Sequence, residues 1–215
     1  MPQPPITDVD QILSVASELI RSDGYPAVTF GALAARSEIA QAEIENLFDT
    51  PNDVLVSMLN REFSLMYASI VDHVERDPRG GLLSRMYTYI LASVYERPLA
   101  RTLFVIDRDA LNQIMRNANG FVYLPNIGVR SDLIEKLQQA GMVRRDVDAS
   151  MVSSVLSACS AGLALTAPSD DLDLTIRGLA DLLHRGVDAD VSDTSPGKTV
   201  FYEWATSLTL PKTSG

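Results

Sequence analysis

Apolar residues recur at helical spacing along almost the whole chain. Thr7 reads as an N-cap with Asp10 at the N3 position. Ile12, Leu13, Val15, Ala16, Leu19 and Ile20 then share one helix face. Gly24 predicts the stop, and Tyr25-Pro26 the connection. Thr29 predicts the cap of a second helix that turns Phe30, Leu33 and Ala34 inward. Ser37-Glu38 makes a short turn, and a third helix spans 41–47, anchored by Ile44, Leu47 and Phe48. Two short helices joined by a tight turn, behind one longer helix, fit a helix-turn-helix domain.

Thr50-Pro51-Asn52-Asp53 predicts a strong helix start, with Thr as N-cap, Pro at N1 and an acid at N3. The helix it opens runs to about residue 76 and links a small head to a larger body. Arg79-Gly80-Gly81 breaks the chain. Further helices are predicted over 82–95, 98–116, 129–140, 148–165 and 170–187, with a loop over 117–128. The Pro-rich first five residues are expected to be disordered. Residues 189–215 form a Ser-, Thr- and Pro-rich tail, but Val200-Phe201-Tyr202-Glu203-Trp204 is too aromatic for a purely disordered one and is expected to dock. No stretch alternates with period two, and there is no solenoid repeat. The expected class is all-α: a three-helix helix-turn-helix domain over 6–50, a helical body over 51–188, and the tail over 189–215.

Charge changes this picture. The net charge is −10 over 215 residues. Residues 1–60 hold 2 basic and 9 acidic groups, for a net of −7. An acidic head is a poor start for a surface that binds a polyanion. Hydrophobic residues at 46% and charged ones at 21% are ordinary for a globular protein. No apolar run reaches the roughly 18 residues of a membrane span, so no membrane partner is expected. The first residues lack the basic and apolar regions of a signal peptide, and a lone Cys159 permits no internal disulfide. Both point to the cytoplasm.

Catalytic chemistry finds little support. His73 and His184 stand far apart without ligand-spaced partners, and Cys159 lies in a small-residue helix with no basic neighbour to lower its pKa. No Gly-rich phosphate cradle occurs. Asp170, Asp171 and Asp173 sit at a helix start, where the dipole favours negative charge. No catalytic residue, metal site or cofactor is assigned, and the chain is not expected to be an enzyme.

The spacing of Ile12-Leu13, Ala16, Leu19, Gly24-Tyr25, Thr29, Leu33-Ala34, Ile39, Ile44, Phe48 and Val54-Leu55 resembles the DNA-binding domain of the TetR family of bacterial transcription regulators. The run Ala140-Gly141-Met142-Val143-Arg144-Arg145-Asp146 is similar, more loosely, to the segment before a long helix of the family's ligand domain. The resemblance is specific over about residues 11–55 and architectural beyond. It implies duplex DNA as a partner, a small-molecule effector in the helical body, and a homodimer through the helices at about 148–165 and 170–187.

The departures lie on the DNA-facing side. Glu38 stands where the family has a turn glycine, and Ala40 where it has a Ser or Thr cap. Ala42, Glu43 and Glu45 replace the common Gly, Thr and Tyr, and Pro51 replaces a phosphate-binding Lys. The candidate DNA-contacting residues are Thr29, Arg36, Gln41, Ala42, Glu43 and Asn46, among which only Arg36 is cationic. Gln41 and Asn46 suit adenine edges, and Glu43 and Glu45 suit cytosine N4. Two like charges about 4 Å apart at an effective dielectric of about 20 repel by about 4 kcal/mol before screening. Two glutamates near phosphates therefore offset several good contacts. Three readings stay open: a ligand-modulated DNA-binding regulator, a TetR-like protein that has lost DNA binding and acts through protein contacts, and an enzyme or carrier on a helical scaffold. For the effector, Tyr67, Met86, Tyr87, Phe104, Asp107 and Leu111 are the candidate contacts; side chains like the five apolar and aromatic ones are more often plain core, and one like Asp107 more often solvated.

Overall fold

The structure, a computed structural model, describes residues 8–116, 129–166 and 172–209. The Thr7 cap, the Pro-rich start, the 117–128 loop and the acids at 170 and 171 lie outside these residues. The described chain is all-α, with eleven α-helices, a 3-10 turn, a π turn and one isolated bridge between Val143 and Asp188. It gathers into two compact units. One holds the described residues up to Phe63 and those from Pro98 to Arg116; the other holds the rest.

In the first unit, α1 (Asp8–Asp23) packs on α2 (Phe30–Ser37), and α2 packs on α3 (Gln41–Leu47). Ile12, Ala16, Leu33, Ile44, Val54 and Met58 are fully buried in its core. At φ 82°, Gly24 takes a left-handed conformation that suits glycine, and its N–H closes α1 on the Ile20 carbonyl at 3.2 Å. Thr29 Oγ1 caps α2 by accepting from the Ala32 N–H at 3.2 Å. Helix α4 (Pro51–Arg76) opens with a reciprocal cap: Asp53 Oδ2 accepts from the Thr50 N–H at 2.8 Å, and Thr50 Oγ1 accepts from the Asp53 N–H at 3.2 Å. By length and composition alone, α4 with its 26 residues would cross a bilayer. Val54, Leu55, Met58, Leu59, Phe63, Met66, Ile70 and Val74 are instead buried in protein, and Arg61 at mid-helix bonds the Asp10 carbonyl at 2.9 Å.

The single helix predicted over 98–116 is broken. A short α6 (Pro98–Arg101) runs into a π turn (Thr102–Ile106), and α7 (Arg108–Arg116) follows. The Asp107 N–H reaches five residues back to the Thr102 carbonyl at 2.7 Å, which widens the last turn. Asp107 then leaves helical geometry at φ −130° and ψ 75°. Its Oδ1 caps α7 by accepting from the Ala110 N–H at 3.0 Å. The apolar periodicity runs on across this cap, so hydrophobic pattern alone does not disclose it.

The second unit holds the later part of α4 with α5 (Leu83–Glu96), α8 (Ser131–Gln139), α9 (Ala149–Thr166), α10 (Leu172–Gly186) and α11 (Ser195–Thr209). Helix α10 packs on α5, α9 on α8, and α11 on α8. The aromatic tail segment is part of α11, and Phe201 and Trp204 enter the core with ring centroids 5.9 Å apart. Thr194 Oγ1 donates to the Pro78 carbonyl at 2.9 Å, and Lys198 Nζ to the Glu75 carbonyl at 2.7 Å. The backbones approach so closely here that a Cβ on Gly81 would sit 1.8 Å from the Thr194 oxygen. Arg79-Gly80-Gly81 is thus a docking surface for α11 as well as a helix break.

The N-terminus of α5 has an unusual cap. The N-cap residue, Leu82, has no polar side chain to offer. The carboxylate of Asp188, more than 100 residues on, takes its place by accepting from the Ser84 N–H at 3.2 Å and from the Ser84 hydroxyl. His184 Nδ1 lies 3.2 Å from the same carboxylate. Pairing on both sides fixes Asp188: the Arg144 N–H bonds Val187 O at 3.0 Å, and the Ala189 N–H bonds Met142 O at 2.9 Å. Asp188→Ala would leave two buried donors on Ser84 unpaired. It should cost about 2–4 kcal/mol in urea denaturation, against less than about 0.5 kcal/mol for a control at exposed Asp190.

Candidate functional site

The outward face of α3 is fully displayed. Gln41, Ala42, Glu43, Glu45 and Asn46 are all exposed, while Ile44 is completely buried and Phe48 half-buried. Leu47, expected to anchor the helix, is 46% exposed. The chain turns extended at Phe48, with φ −139° and ψ 131°, so the ring of Phe48 rather than Leu47 closes the inner face. The turn before α3 is strained. Glu38 lies at φ 60° and ψ 15°, the non-glycine residue with positive φ among those described, and a side chain there costs about 1 kcal/mol relative to glycine. Gln11 Nε2 supports the turn from α1 by donating to the Ser37 carbonyl at 2.6 Å. Ala40 makes no side-chain cap to α3.

Two of the candidate DNA contacts are already engaged. Arg36 Nη2 holds the Asp23 carboxylate at 2.7 Å, with both side chains nearly half exposed. The Ser22 hydroxyl and then Arg36 donate to Asp23 and hold its carboxyl below the usual range. Gln41 Nε2 donates to Glu45 Oε1 at 2.7 Å along α3. Thr29 is exposed but already caps α2 with its oxygen. Ala42, Glu43 and Asn46 stand outward. The face therefore presents carboxylates without a free cation beside them among these six residues.

The six residues expected to meet an effector fall in different settings. Met86 and Tyr87 are buried core of the second unit, and Tyr67 packs half-buried against that core. The Tyr87 hydroxyl donates to the Leu156 carbonyl at 3.0 Å and pairs with Ser160 Oγ at 2.9 Å, tying α5 to α9. Burial pushes its pKa up to about 12. In the first unit, Phe104 packs on Phe63 with centroids 5.9 Å apart, Leu111 is buried, and Asp107 is the α7 cap.

None of the six lines the cavity of about 320 Å³ that opens among α4, α5 and α10 of the second unit. Ser69 and His73 come from α4; Thr88, Tyr89, Ala92, Ser93, Tyr95 and Glu96 from α5; Leu172, Asp173, Ile176 and Arg177 from α10. In the sequence, the only trace of this lining is the hydroxyls of Thr88 and Ser93 interrupting an apolar helix. Tyr89 forms one wall, stacked on His73 with centroids 5.3 Å apart. Its hydroxyl donates to Asp77 Oδ2 at 2.7 Å, and Arg85 Nε grips the same oxygen at 2.5 Å. Burial alone would raise the Asp77 carboxyl. The Arg79 N–H, the Tyr89 hydroxyl and the Arg85 guanidinium outweigh it and hold that carboxyl below its ordinary 3.8.

A second feature of this unit is an apolar face exposed among the described residues. Met151 and Val155 on α9, and Leu174 and Leu182 on α10, are each more than half exposed. Small residues (Ser154, Ala158 and Gly178) lie between them at helical spacing.

No protein-family model matches the sequence, and no curated protein matches it. Solved structures do match. The regulator FadR of Bacillus subtilis, solved with stearoyl-CoA, is 15% identical, with 80% of this chain and 96% of that chain covered and a TM-score of 0.58. A TetR/AcrR-family regulator of Thermobifida fusca is 19% identical, with 83% and 97% covered and a TM-score of 0.53. A TetR-family regulator of Haemophilus influenzae is 17% identical, with 84% and 96% covered and a TM-score of 0.53. The fold is that of TetR-family transcriptional regulators.

The Asp77 network has a defined pH signature. A carboxyl whose folded pKa is depressed adds stability above its unfolded pKa and loses it as pH falls through the folded value. Asp77→Asn should therefore lower the melting temperature at neutral pH. The gap to the parent protein should close as pH falls below 3.8 toward the folded pKa. Thermal melts followed by circular dichroism from pH 7 to about pH 3 check this.

Proposed function

We propose that the chain is a TetR-family transcriptional regulator: a cytoplasmic homodimer that binds duplex DNA through the α2–α3 head and is modulated by a small effector in the second unit. The observation that carries this reading is the head. Two short helices meet at a tight turn over a sealed core of Leu33 and Ile44, and the second helix is left with one face wholly outward. That is the geometry of a helix presented to a major groove. The solved structures of the same fold support it. Thr29, Arg36, Gln41, Ala42, Glu43 and Asn46 are the proposed DNA-facing set.

The exposed face of α9 and α10 supports dimerisation. Met151, Val155, Leu174 and Leu182 are more than half exposed among the described residues, and large apolar side chains grouped in this way suit a self-complementary helical interface. The cavity beside Tyr89 is the proposed effector site, in place of the side chains expected from the sequence. Its action is binding rather than catalysis.

The charge of the head sets the strength of the DNA step. One cation per subunit, Arg36, neutralises about two phosphates per dimer once it exchanges Asp23 for a phosphate. Affinity for DNA should then fall only about tenfold between about 50 and 200 mM salt, far less than for a phosphate-rich regulator. A mobility-shift titration of the purified dimer against its own upstream region measures this. A shift at low salt with that shallow slope supports the reading. A folded dimer that shifts no DNA at low salt contradicts it and favours a head that works through protein contacts.

A further inference from the structure

Four polar groups around the cavity among α4, α5 and α10 share one property: Thr88, Ser93, Tyr89 and His73 each have their proton engaged within the protein. The Thr88 hydroxyl donates its proton to the Ser84 carbonyl at 2.9 Å, and the Ser93 hydroxyl to the Ile90 carbonyl at 2.7 Å. The Tyr89 hydroxyl gives its proton to Asp77. His73 Nδ1 lies 2.8 Å from the Ser69 carbonyl, which only accepts. In the neutral ring the proton is therefore on Nδ1, and Nε2 keeps a lone pair. Glu96 and Asp173 add two carboxylates that join no ion pair among the described residues. The cation in the lining, Arg177, spends its Nε on the Asp173 carbonyl of its own helix at 3.2 Å.

Arg177 apart, these groups offer lone pairs and negative charge, while the protons of Thr88, Ser93 and His73 go to backbone carbonyls and that of Tyr89 to Asp77. A ligand of matching chemistry supplies protons and positive charge. Leu172, Ile176 and Ala92 supply an apolar floor. A space of about 320 Å³ suits a small ring or short chain with one charged end.

We propose that this cavity binds a protonated organic amine, with the ammonium against Thr88, Ser93, Glu96 and Asp173 and the apolar body against Leu172 and Ile176. The inference rests on the effector reading above and specifies its ligand. An anionic ligand is disfavoured by the same lining, since a carboxylate would face Glu96 and Asp173 with the Arg177 Nη atoms as its cationic partner. Tyr89 gives the site a route to the end of α4, because the ring that walls the cavity also holds Asp77 just beyond that helix.

The test is calorimetry on the full-length protein with three isosteres: 2-phenylethylammonium, 2-phenylethanol and phenylacetate. The ammonium should bind at least about tenfold more tightly than the alcohol, with phenylacetate weakest. Glu96→Gln combined with Asp173→Asn should weaken the ammonium about tenfold and leave the alcohol unchanged. The double variant also separates the site from general attraction to a chain of net charge −10. Equal binding of the three probes, tighter binding of phenylacetate, or no binding of the ammonium at millimolar concentration overturns the proposal. Repeating the DNA titration with the ammonium present keeps the two readings apart. Amine binding that leaves DNA affinity unmoved upholds the cavity chemistry and removes the effector role. Amine binding by a protein that shifts no DNA upholds the cavity and overturns the regulator.

Discussion

A single buried carboxylate organises the second unit. Asp188 stands at the end of α10 yet caps the start of α5, whose own N-cap residue is a leucine. The helix start has orphan N–H groups that burial would otherwise leave unpaired. The same residue's backbone is pinned to the 142–144 segment. The 187–189 segment, through the Asp188 side chain and the flanking backbone, thus joins the start of α5 and the 142–144 segment to the end of α10. The placement of α5 sets the cavity wall, because Thr88, Tyr89, Ser93 and Glu96 all stand on α5. Helix α11 adds a second constraint at the same end by seating on the turn between α4 and α5, where Gly81 admits no Cβ.

The first unit keeps its fold by other means. Its apolar residues are those of a well-formed helix-turn-helix, and they are sealed. The losses are all at the turn and on the surface: a left-handed Glu38, an uncapped Ala40, and an arginine drawn to Asp23. The first two each cost about 1 kcal/mol in stability, and a sealed core tolerates that. The cost to phosphate binding is larger in proportion, because nearly all of that affinity is electrostatic. The residues that seal the fold are therefore separate from those proposed to face DNA.

The helices were legible in the sequence because their signals are local. The Thr50–Asp53 cap, the Gly24 stop and the inward face of α1 all depend on neighbours within a turn or two. The aromatic run at 200–204 also announced its docking, since three aromatics in four residues rarely stay in water. Asp107 was misread because the apolar period continues through it, and only the widened turn and its capping geometry mark the break. The cavity among α4, α5 and α10 is not legible in residue spacing, because its lining depends on which helices pack together. Met86 and Tyr87, candidates by size and chemistry, lie in the core of the second unit.

The central claim is that the head is a sound DNA-binding scaffold whose surface charge limits its grip. Replacing Glu43 with Lys and Glu45 with Tyr tests it most directly, since both side chains are exposed and neither supports the core. Measured as the salt dependence of DNA affinity, the double variant should bind more tightly at low salt. Its affinity should fall about a hundredfold between about 50 and 200 mM salt, as two further phosphates are neutralised per dimer. An affinity and slope unchanged from the parent protein, in a variant that folds and dimerises normally, would contradict the account.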